Sequence, residues 1–165
     1  MAKSDQERIV LEVFKALDIP FTRTEHPPVY TVEEARLHWR DLAGTHCKNL
    51  FLRNKKGNRH FLVILEDSKR ADLKAISRGL GEDRLSFASP ERLKRFLGLE
   101  PGAVSPFGLI NDSQKLVRVL IDQDLKLAQT IYFHPNVNTS TVGMSFSDFN
   151  RFLEHCGQEV RFLTL

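Results

Sequence analysis

Five parts of the chain are predicted to be helical, and four of them have a start or stop signal. The first covers residues 4–17, with Ser4 placed to cap it and Pro20 placed to end it. The second begins behind Thr31, after Pro27-Pro28 has excluded helix from the residues before it. Two further helices are predicted over 70–80 and 90–97, and a fifth is predicted to begin behind Ser145.

Short apolar runs between turn residues predict a sheet. Phe61-Leu62-Val63-Ile64-Leu65 is apolar throughout, which is typical of a strand covered on both faces. Because hairpins and helices are interspersed, the chain is predicted to form one α+β domain over 1–165, with a mixed, mostly antiparallel sheet flanked by helices. The predicted extended segments are 21–26, 47–53, 60–66, 116–121, 129–134, 139–144 and 159–164.

The composition fits an ordinary globular domain, with 165 residues, 41% hydrophobic and 27% charged. No apolar run is long enough to span a membrane, and the first residues lack a signal-peptide core. A cytoplasmic location without a membrane partner is therefore expected. Cys47 and Cys156 are expected to be reduced thiols, and neither they nor the six histidines have metal-ligand spacing, so no metal is expected.

Positive charge is concentrated in one segment. The net charge is +3, but Lys69 to Arg95 contains eight Lys and Arg against four acids, which makes this segment +4 and the remainder −1. A basic lobe fits a phosphate-bearing partner, and a solvated pair of Lys- and Arg-rich helices explains the pattern equally well. No helix-turn-helix pattern or strongly basic face is evident, so DNA is not an expected partner.

Lys48 is the first candidate for chemistry. It lies in the strand segment Cys47-Lys48-Asn49-Leu50-Phe51-Leu52 and shares strand parity with Leu50 and Leu52. A lysine on a core-facing side is costly unless it meets an anion or a carboxylate. The alternative, which the pattern alone slightly favours, is a strand-end lysine that extends to water.

Two loops are further candidates. Gly102-Ala103-Val104-Ser105-Pro106-Phe107-Gly108 permits a tight loop whose backbone groups are free to bind a ligand, although most such loops only connect elements. His134-Pro135, followed by Asn138-Thr139-Ser140-Thr141, places an imidazole, amides and hydroxyls between two apolar strands. His134 suits orienting an amine or a water, or a backbone bond at a strand end. No serine-hydrolase or P-loop motif is present, so covalent serine chemistry and nucleotide hydrolysis are not indicated.

These three segments together, in this order, resemble the YbaK/ProX family of prolyl-tRNA editing domains. The resemblance spans about residues 5–164. The Lys-Asn-Leu-Phe and Ser-Pro-Phe-Gly segments are most similar to the free-standing ProXp-ala (PrdX-like) branch, which clears alanine from tRNA for proline. The resemblance implies a mixed, barrel-like sheet flanked by helices.

The resemblance also implies a hydrolase, an aminoacyl-tRNA deacylase that needs no cofactor and cleaves the ester to the 3′-terminal adenosine. It implies that Lys48 is the essential catalytic residue and that His134 lines the aminoacyl pocket. Asn49 and Thr139 are expected to bind substrate because they adjoin these motifs, and Val142-Gly143-Met144 is expected to form a wall. Backbone groups of the loop are expected to contribute through Gly102, Ala103, Val104, Ser105 and Pro106.

The chemistry agrees with this implied site. Lost apolar contacts penalise alanine against proline by only roughly 1–3 kcal/mol per methylene, so a second site for small side chains is useful. A lysine ammonium can hold the terminal phosphate or ribose and stabilise charge on the carbonyl while water attacks. Lys74 and Arg78 of the basic segment are candidates to bind the acceptor stem of the tRNA. Prolyl-tRNA synthetase is a candidate second partner.

Two alternatives stay open on the sequence alone. One is a deacylase that prefers Cys- or Ser-charged tRNA, whose side chains differ from alanine by one atom. The other is a non-catalytic tRNA-binding or regulatory module of the same fold. The presence of Lys48, the Gly102–Pro106 loop and His134 favours an enzyme.

Overall fold

The computed structural model describes residues 4–39 and 42–165. All five predicted helices are confirmed, with small shifts at their ends. The hydroxyls of Ser4, Ser89 and Ser145 cap three of them, each accepting a hydrogen bond from the backbone N–H three residues later at 3.1–3.2 Å. The helices are α1 (Asp5–Ala16), α2 (Val32–Trp39), α3 (Leu73–Leu80), α4 (Pro90–Leu97) and α5 (Phe146–Cys156). None of the helices in these ranges is both long and apolar enough to cross a membrane.

Over the described residues the sheet has eight strands, and every predicted extended segment contributes one. The strands are β1 (Thr22–Glu25), β2 (Thr45–Asn54), β3 (His60–Glu66), β4 (Leu85–Phe87), β5 (Val117–Asp122), β6 (Ile131–Phe133), β7 (Ser140–Met144) and β8 (Val160–Leu163). The sequence patterns missed the three-residue β4 and two short 3-10 helices, Pro106–Asn111 and Gln123–Leu127.

The strand order is β1-β7-β6-β2-β3-β5-β8, and β4 pairs with β2 beside this path. Pairing is antiparallel for β1–β7, β6–β7, β2–β3 and β2–β4, and parallel for β2–β6, β3–β5 and β5–β8. The expected single-domain α+β fold with a mixed sheet flanked by helices is therefore confirmed.

Apolar side chains cover both faces of the sheet. Along β3, Leu62 and Ile64 belong to one buried cluster, whereas Phe61, Val63 and Leu65 belong to a second. This alternation confirms the prediction that the strand is covered on both faces. α4 contributes side chains to the first cluster and α3 contributes side chains to the second, so these two helices pack on opposite faces of the sheet.

One edge of β2 has a gap. β6 pairs with its first residues, Thr45 and His46, and β4 pairs with Leu52–Asn54. The backbone N–H of Ala88 extends the second contact by donating to the Phe51 carbonyl at 2.9 Å. Over the described chain, no strand pairs with residues 47–50 on this edge, while β3 occupies the other edge throughout. The middle of β2 is thus open to loops and side chains.

Candidate active site

A pocket of about 220 Å³ lies at the gap in β2 and brings the three predicted segments together. β2 contributes Lys48 and Asn49, the loop after α4 contributes Gly102 and Val104, and His134 follows β6 directly. The remaining lining residues come from β2, α2 and the segment before α2: Cys47, Val29, Tyr30, Thr31, Ala35 and Trp39.

Lys48 is half-buried in this pocket, opposite Leu65 of β3. Within the described residues, its ammonium group has no hydrogen-bond or ion-pair partner. A half-buried ammonium group without a partner in the protein is free to bind an anionic or strongly polar ligand. The pocket is therefore suited to a negatively charged group.

Asn49 ties the loop to the gap, because its Nδ2 donates a hydrogen bond to the Val104 carbonyl at 3.3 Å. Its Oδ1 is buried without a partner. A buried acceptor left without a donor costs about 1–3 kcal/mol. At Gly102, φ is +87°, and an added Cβ would lie 3.2 Å from Tyr30 Cδ1. Both the conformation and the close ring require glycine there.

His134 has one ring nitrogen engaged and one available. Nδ1 lies 3.0 Å from the Ser140 carbonyl, which can only accept, so Nδ1 carries the proton. Burial, the largest effect, lowers the pKa of His134, and the ring is therefore neutral at neutral pH. Its Nε2 then presents a lone pair and can accept a hydrogen bond from a water or an amine.

Other predicted residues are placed outside the pocket wall. Ser105 is fully buried, and its hydroxyl accepts from the Phe107 N–H at 3.1 Å, which caps the 3-10 helix that Pro106 begins. Ala103 is buried beside the pocket. The Thr139 side chain is exposed, and its carbonyl accepts from the His26 N–H at 3.0 Å.

The expected wall at Val142-Gly143-Met144 is wrong, because none of these residues lines the pocket. All three lie in β7, and Val142 and Met144 belong to the first buried cluster. Gly143 packs against the Tyr132 ring.

The apolar wall comes from α2 and the segment before it. Val29, Ala35 and Trp39 form a small cluster separate from the two main ones. Trp39 Nε1 donates to the Thr141 hydroxyl at 3.3 Å, and its ring stacks on His46 at 4.3 Å between centroids. The sequence pattern placed Ala35 and Trp39 on the inward face of a helix but indicated only a core. The one feature that pointed to a site rather than a core was the single Trp of the chain, which lies in a helix of only eight residues.

The Cys47 thiol lines the pocket but is a poor nucleophile. Burial raises its pKa far above its ordinary value, and the nearby carboxylates of Asp67 and Glu66 add to this. The thiol therefore stays protonated at neutral pH. In the part of the chain that the structure describes, no group of three or more His, Cys, Asp or Glu could hold a metal ion.

Lys74 and Arg78 lie away from this pocket. They line a cavity of about 550 Å³ between α3 and β4, together with Arg84. Neither forms an ion pair in residues 4–39 and 42–165. Lys69 of the same basic segment differs, because its ammonium binds Asp122 at 2.5 Å and Asp124 at 2.6 Å.

The fold and the pocket define an α+β protein with a small site built around a lysine at a break in the sheet, and comparison with known proteins gives the family. The model of the aminoacyl-tRNA editing domain family matches residues 26–152. The chain is 37% identical to the prolyl-tRNA editing protein ProX of Acetoanaerobium sticklandii, over 98% of both chains. It is 36% identical to prolyl-tRNA synthetase associated domain-containing protein 1 of Danio rerio, over 93% of this chain and 84% of that protein.

The solved structures agree on the fold. A crystal structure described as that of a candidate trans-editing enzyme for prolyl tRNA synthetase has a TM-score of 0.74, with 21% identity, over 99% of both chains. The hypothetical protein APE2540 has a TM-score of 0.71, with 19% identity, over 92% of this chain and 95% of that one. The chain belongs to the aminoacyl-tRNA editing domain family, and the expected class of enzyme, a hydrolase that edits aminoacyl-tRNA, is confirmed.

Proposed function

We propose that this protein is a trans-editing deacylase that hydrolyses mischarged Ala-tRNA(Pro) at its 3′-terminal ester, with residues 1–165 acting as one editing domain. The observation that carries the proposal is the unpartnered Lys48 ammonium in a small pocket shared with Gly102, Val104 and His134. The names of the similar proteins point to prolyl-tRNA as the substrate class. The reaction takes place in the cytoplasm, on tRNA, without a cofactor.

Lys48 supplies the positive charge that the reaction needs. Its ammonium binds the terminal phosphate or ribose and stabilises the negative charge that develops on the ester carbonyl oxygen as water attacks. Backbone groups at Gly102 and Val104 assist it. The C–O ester bond then breaks, releasing the free amino acid and the tRNA with its terminal hydroxyl restored. The ester is already activated, so no covalent enzyme intermediate is required.

Two neighbouring side chains orient the reactants. His134 Nε2 accepts a hydrogen bond from the attacking water, because its other nitrogen is held by the Ser140 carbonyl. Asn49 Nδ2 donates to the Val104 carbonyl and so holds the loop beside the substrate.

The apolar wall supports a preference for a small side chain. Val29, Ala35 and Trp39 close one side of a pocket of about 220 Å³ that must also admit part of the ribose. A methyl group meets only apolar surface there, whereas a hydroxyl would lose its hydrogen bonds to water.

The decisive measurement is the rate of deacylation of Ala-, Cys-, Ser- and Pro-tRNA(Pro) by the wild type and by Lys48→Ala. We expect Ala-tRNA(Pro) to be the best substrate and Lys48→Ala to lose on the order of 10²–10³-fold in kcat/KM, the size typical for loss of one charge-stabilising group. Lys15→Ala is the matched control, since Lys15 is exposed on α1.

Each outcome tests a different part of the proposal. Faster hydrolysis of Cys- or Ser-tRNA(Pro) would replace alanine as the substrate and retain the mechanism. Unchanged turnover by Lys48→Ala would contradict the role given to Lys48. Absence of turnover on all four substrates would leave a non-catalytic tRNA-binding module.

A further inference from the structure

Two arginines meet at the turn between β2 and β3, and a third follows on α4, away from the editing pocket. Arg92 Nη1 donates to the Gly57 carbonyl at 2.9 Å and lies 3.0 Å from His60 Nε2. An added Cβ on Gly57 would lie 2.8 Å from Arg92 Nη2 and 3.2 Å from Arg53 Nη1, so these two guanidinium groups share one small space. Arg95 completes the group, with its guanidinium carbon 5.3 Å from the centre of the Phe96 ring that packs on His60.

The charge of this arginine cluster (Arg53, Arg92 and Arg95) is not neutralised by the described residues. None of the three forms an ion pair, whereas the neighbouring Arg59 and Lys94 are paired with Glu82 and Glu100. His60 does not help, since burial, followed by the three arginines, lowers its pKa to about 4 and keeps it neutral. Three cations held this close repel one another unless an anion binds between them.

A polar cavity of about 180 Å³ adjoins the arginine cluster through Arg95 and Phe96. Asn111, Ser113 and Gln114 provide hydrogen-bonding groups around it. Asp112 is the one acid that lines it, and its carboxylate is already used, since both oxygens accept backbone N–H groups, from Leu116 at 3.1 Å and Val117 at 2.9 Å. The cavity therefore gives an anion room and donors beside the arginines.

We propose that Arg53, Arg92 and Arg95 form a second RNA contact, which binds phosphate groups of the tRNA backbone away from the aminoacyl end. The planar guanidinium group matches the geometry of a phosphate oxygen pair, and several unpaired arginines suit a polyanion better than a single small ion. Arg53 and Lys48 are five residues apart on β2, about 17 Å along the strand. A single nucleotide cannot span this distance, so the cluster binds a part of the acceptor arm other than the terminal adenosine. This inference rests on the proposed function for its RNA partner.

The test measures binding of a deacylated, CCA-ended acceptor-stem hairpin by the wild type and by Arg53→Gln/Arg95→Gln. Arg92 is kept because its bond to the Gly57 carbonyl supports the turn. We expect about tenfold weaker binding at moderate salt, and a slope of log K against log salt that is smaller by about 2. The control Arg118→Gln/Arg161→Gln removes the same charge from β5 and β8, and thermal unfolding midpoints verify that both variants fold.

The outcomes distinguish this inference from the proposed function. We expect the cluster variant to hydrolyse a short alanyl-CCA oligonucleotide at the wild-type rate, while Lys48→Ala fails on both the oligonucleotide and the tRNA. If the wild type hydrolyses neither, the proposed function fails, and hairpin binding still decides the inference. The inference would be overturned if the cluster variant kept the wild-type affinity for the hairpin and the wild-type salt slope. It would also be overturned if the control variant lost as much affinity as the cluster variant. Selective loss of binding to polyglutamate, with RNA binding retained, would overturn it in favour of an acidic protein partner.

Discussion

The hydrogen bond between His134 and the Ser140 carbonyl determines the chemistry available to that imidazole. With the proton on Nδ1, Nε2 is an acceptor, and it remains one only while the ring is neutral. Burial lowers the pKa of His134 below 6.5, so the neutral form predominates at physiological pH. A single backbone carbonyl thereby gives the pocket an acceptor at physiological pH.

This acceptor predicts the pH dependence of the reaction. As pH falls through the lowered pKa of His134, Nε2 gains a proton and can no longer accept from water, so kcat/KM for Ala-tRNA(Pro) decreases on the acidic side. The measurement is a pH–rate profile corrected for spontaneous hydrolysis. We expect His134→Gln to be slower and to lack this acidic limb, and His155→Gln, altered on exposed surface, to retain it. An identical limb in His134→Gln would rule out His134 as its source.

At the scale of elements, α1 is attached to the sheet through a buried charge. Glu7 is 2% exposed, and its Oε1 accepts from Arg23 Nε at 2.6 Å and from the Ser140 hydroxyl at 2.7 Å. The same Ser140 positions His134 through its carbonyl. Glu7 and Arg23 both lie outside residues 26–152, the part matched by the family model. Residues 4–25 therefore support the site as well as the fold.

We expect Glu7→Gln to lower the free energy of unfolding by about 2–3 kcal/mol, because it removes the buried charged partner of Arg23 and leaves only the exposed carboxylate of Glu25. Denaturant titration measures this. Glu12→Gln is the matched control on the same helix, and we expect it to change stability much less, because its exposed pair with Arg8 is screened by water. Equal effects of the two substitutions would show that the buried network is not what holds α1.

Local sequence signals predicted the elements whose hydrogen bonds join residues close together in the chain. Ser4, Ser89 and Ser145 bond to residues three positions away, so the sequence contains the whole signal for these helix starts. β4 has three residues and forms because it pairs with an edge of β2. No local sequence pattern indicates such a pairing. The same holds for the gap in β2, which depends on where two distant strands stop pairing.

The site divides in the same way. Lys48, the loop and His134 were identified because their order resembles a known family, while strand parity alone left Lys48 undecided. The wall of Val29, Ala35 and Trp39 was missed, because an apolar stripe on a short helix gives the same pattern whether it packs in a core or faces a ligand. The apolar pattern of a helix does not indicate whether its apolar face will line a pocket.

At the scale of the whole molecule, β4 separates two basic surfaces. Lys74 and Arg78 line a cavity on the α3 face, and the arginine cluster lies with α4 on the other face. Over the described residues β4 pairs only with β2, so its outer edge is free of other strands. An RNA stem that follows this edge would touch both surfaces.

We expect Lys74→Ala/Arg78→Ala to weaken binding of the acceptor-stem hairpin and to lower its salt slope by about 2, while the thermal unfolding midpoint stays close to that of the wild type. Combining it with Arg53→Gln/Arg95→Gln gives additive losses in binding free energy if one stem contacts both surfaces at once. Unchanged binding in the Lys74 and Arg78 variant would remove the α3 face from the interface.

The gap in β2 also affects how such an enzyme can change. Successive residues of a strand direct their N–H and C=O groups to alternate edges, so every second residue of 47–50 turns its main chain toward the gap. Substitution can alter every side chain in the pocket, but it cannot delete these main-chain groups. Groups common to all substrates can therefore be bound by main chain, while the side chains of Val29, Ala35 and Trp39 stay open to substitution.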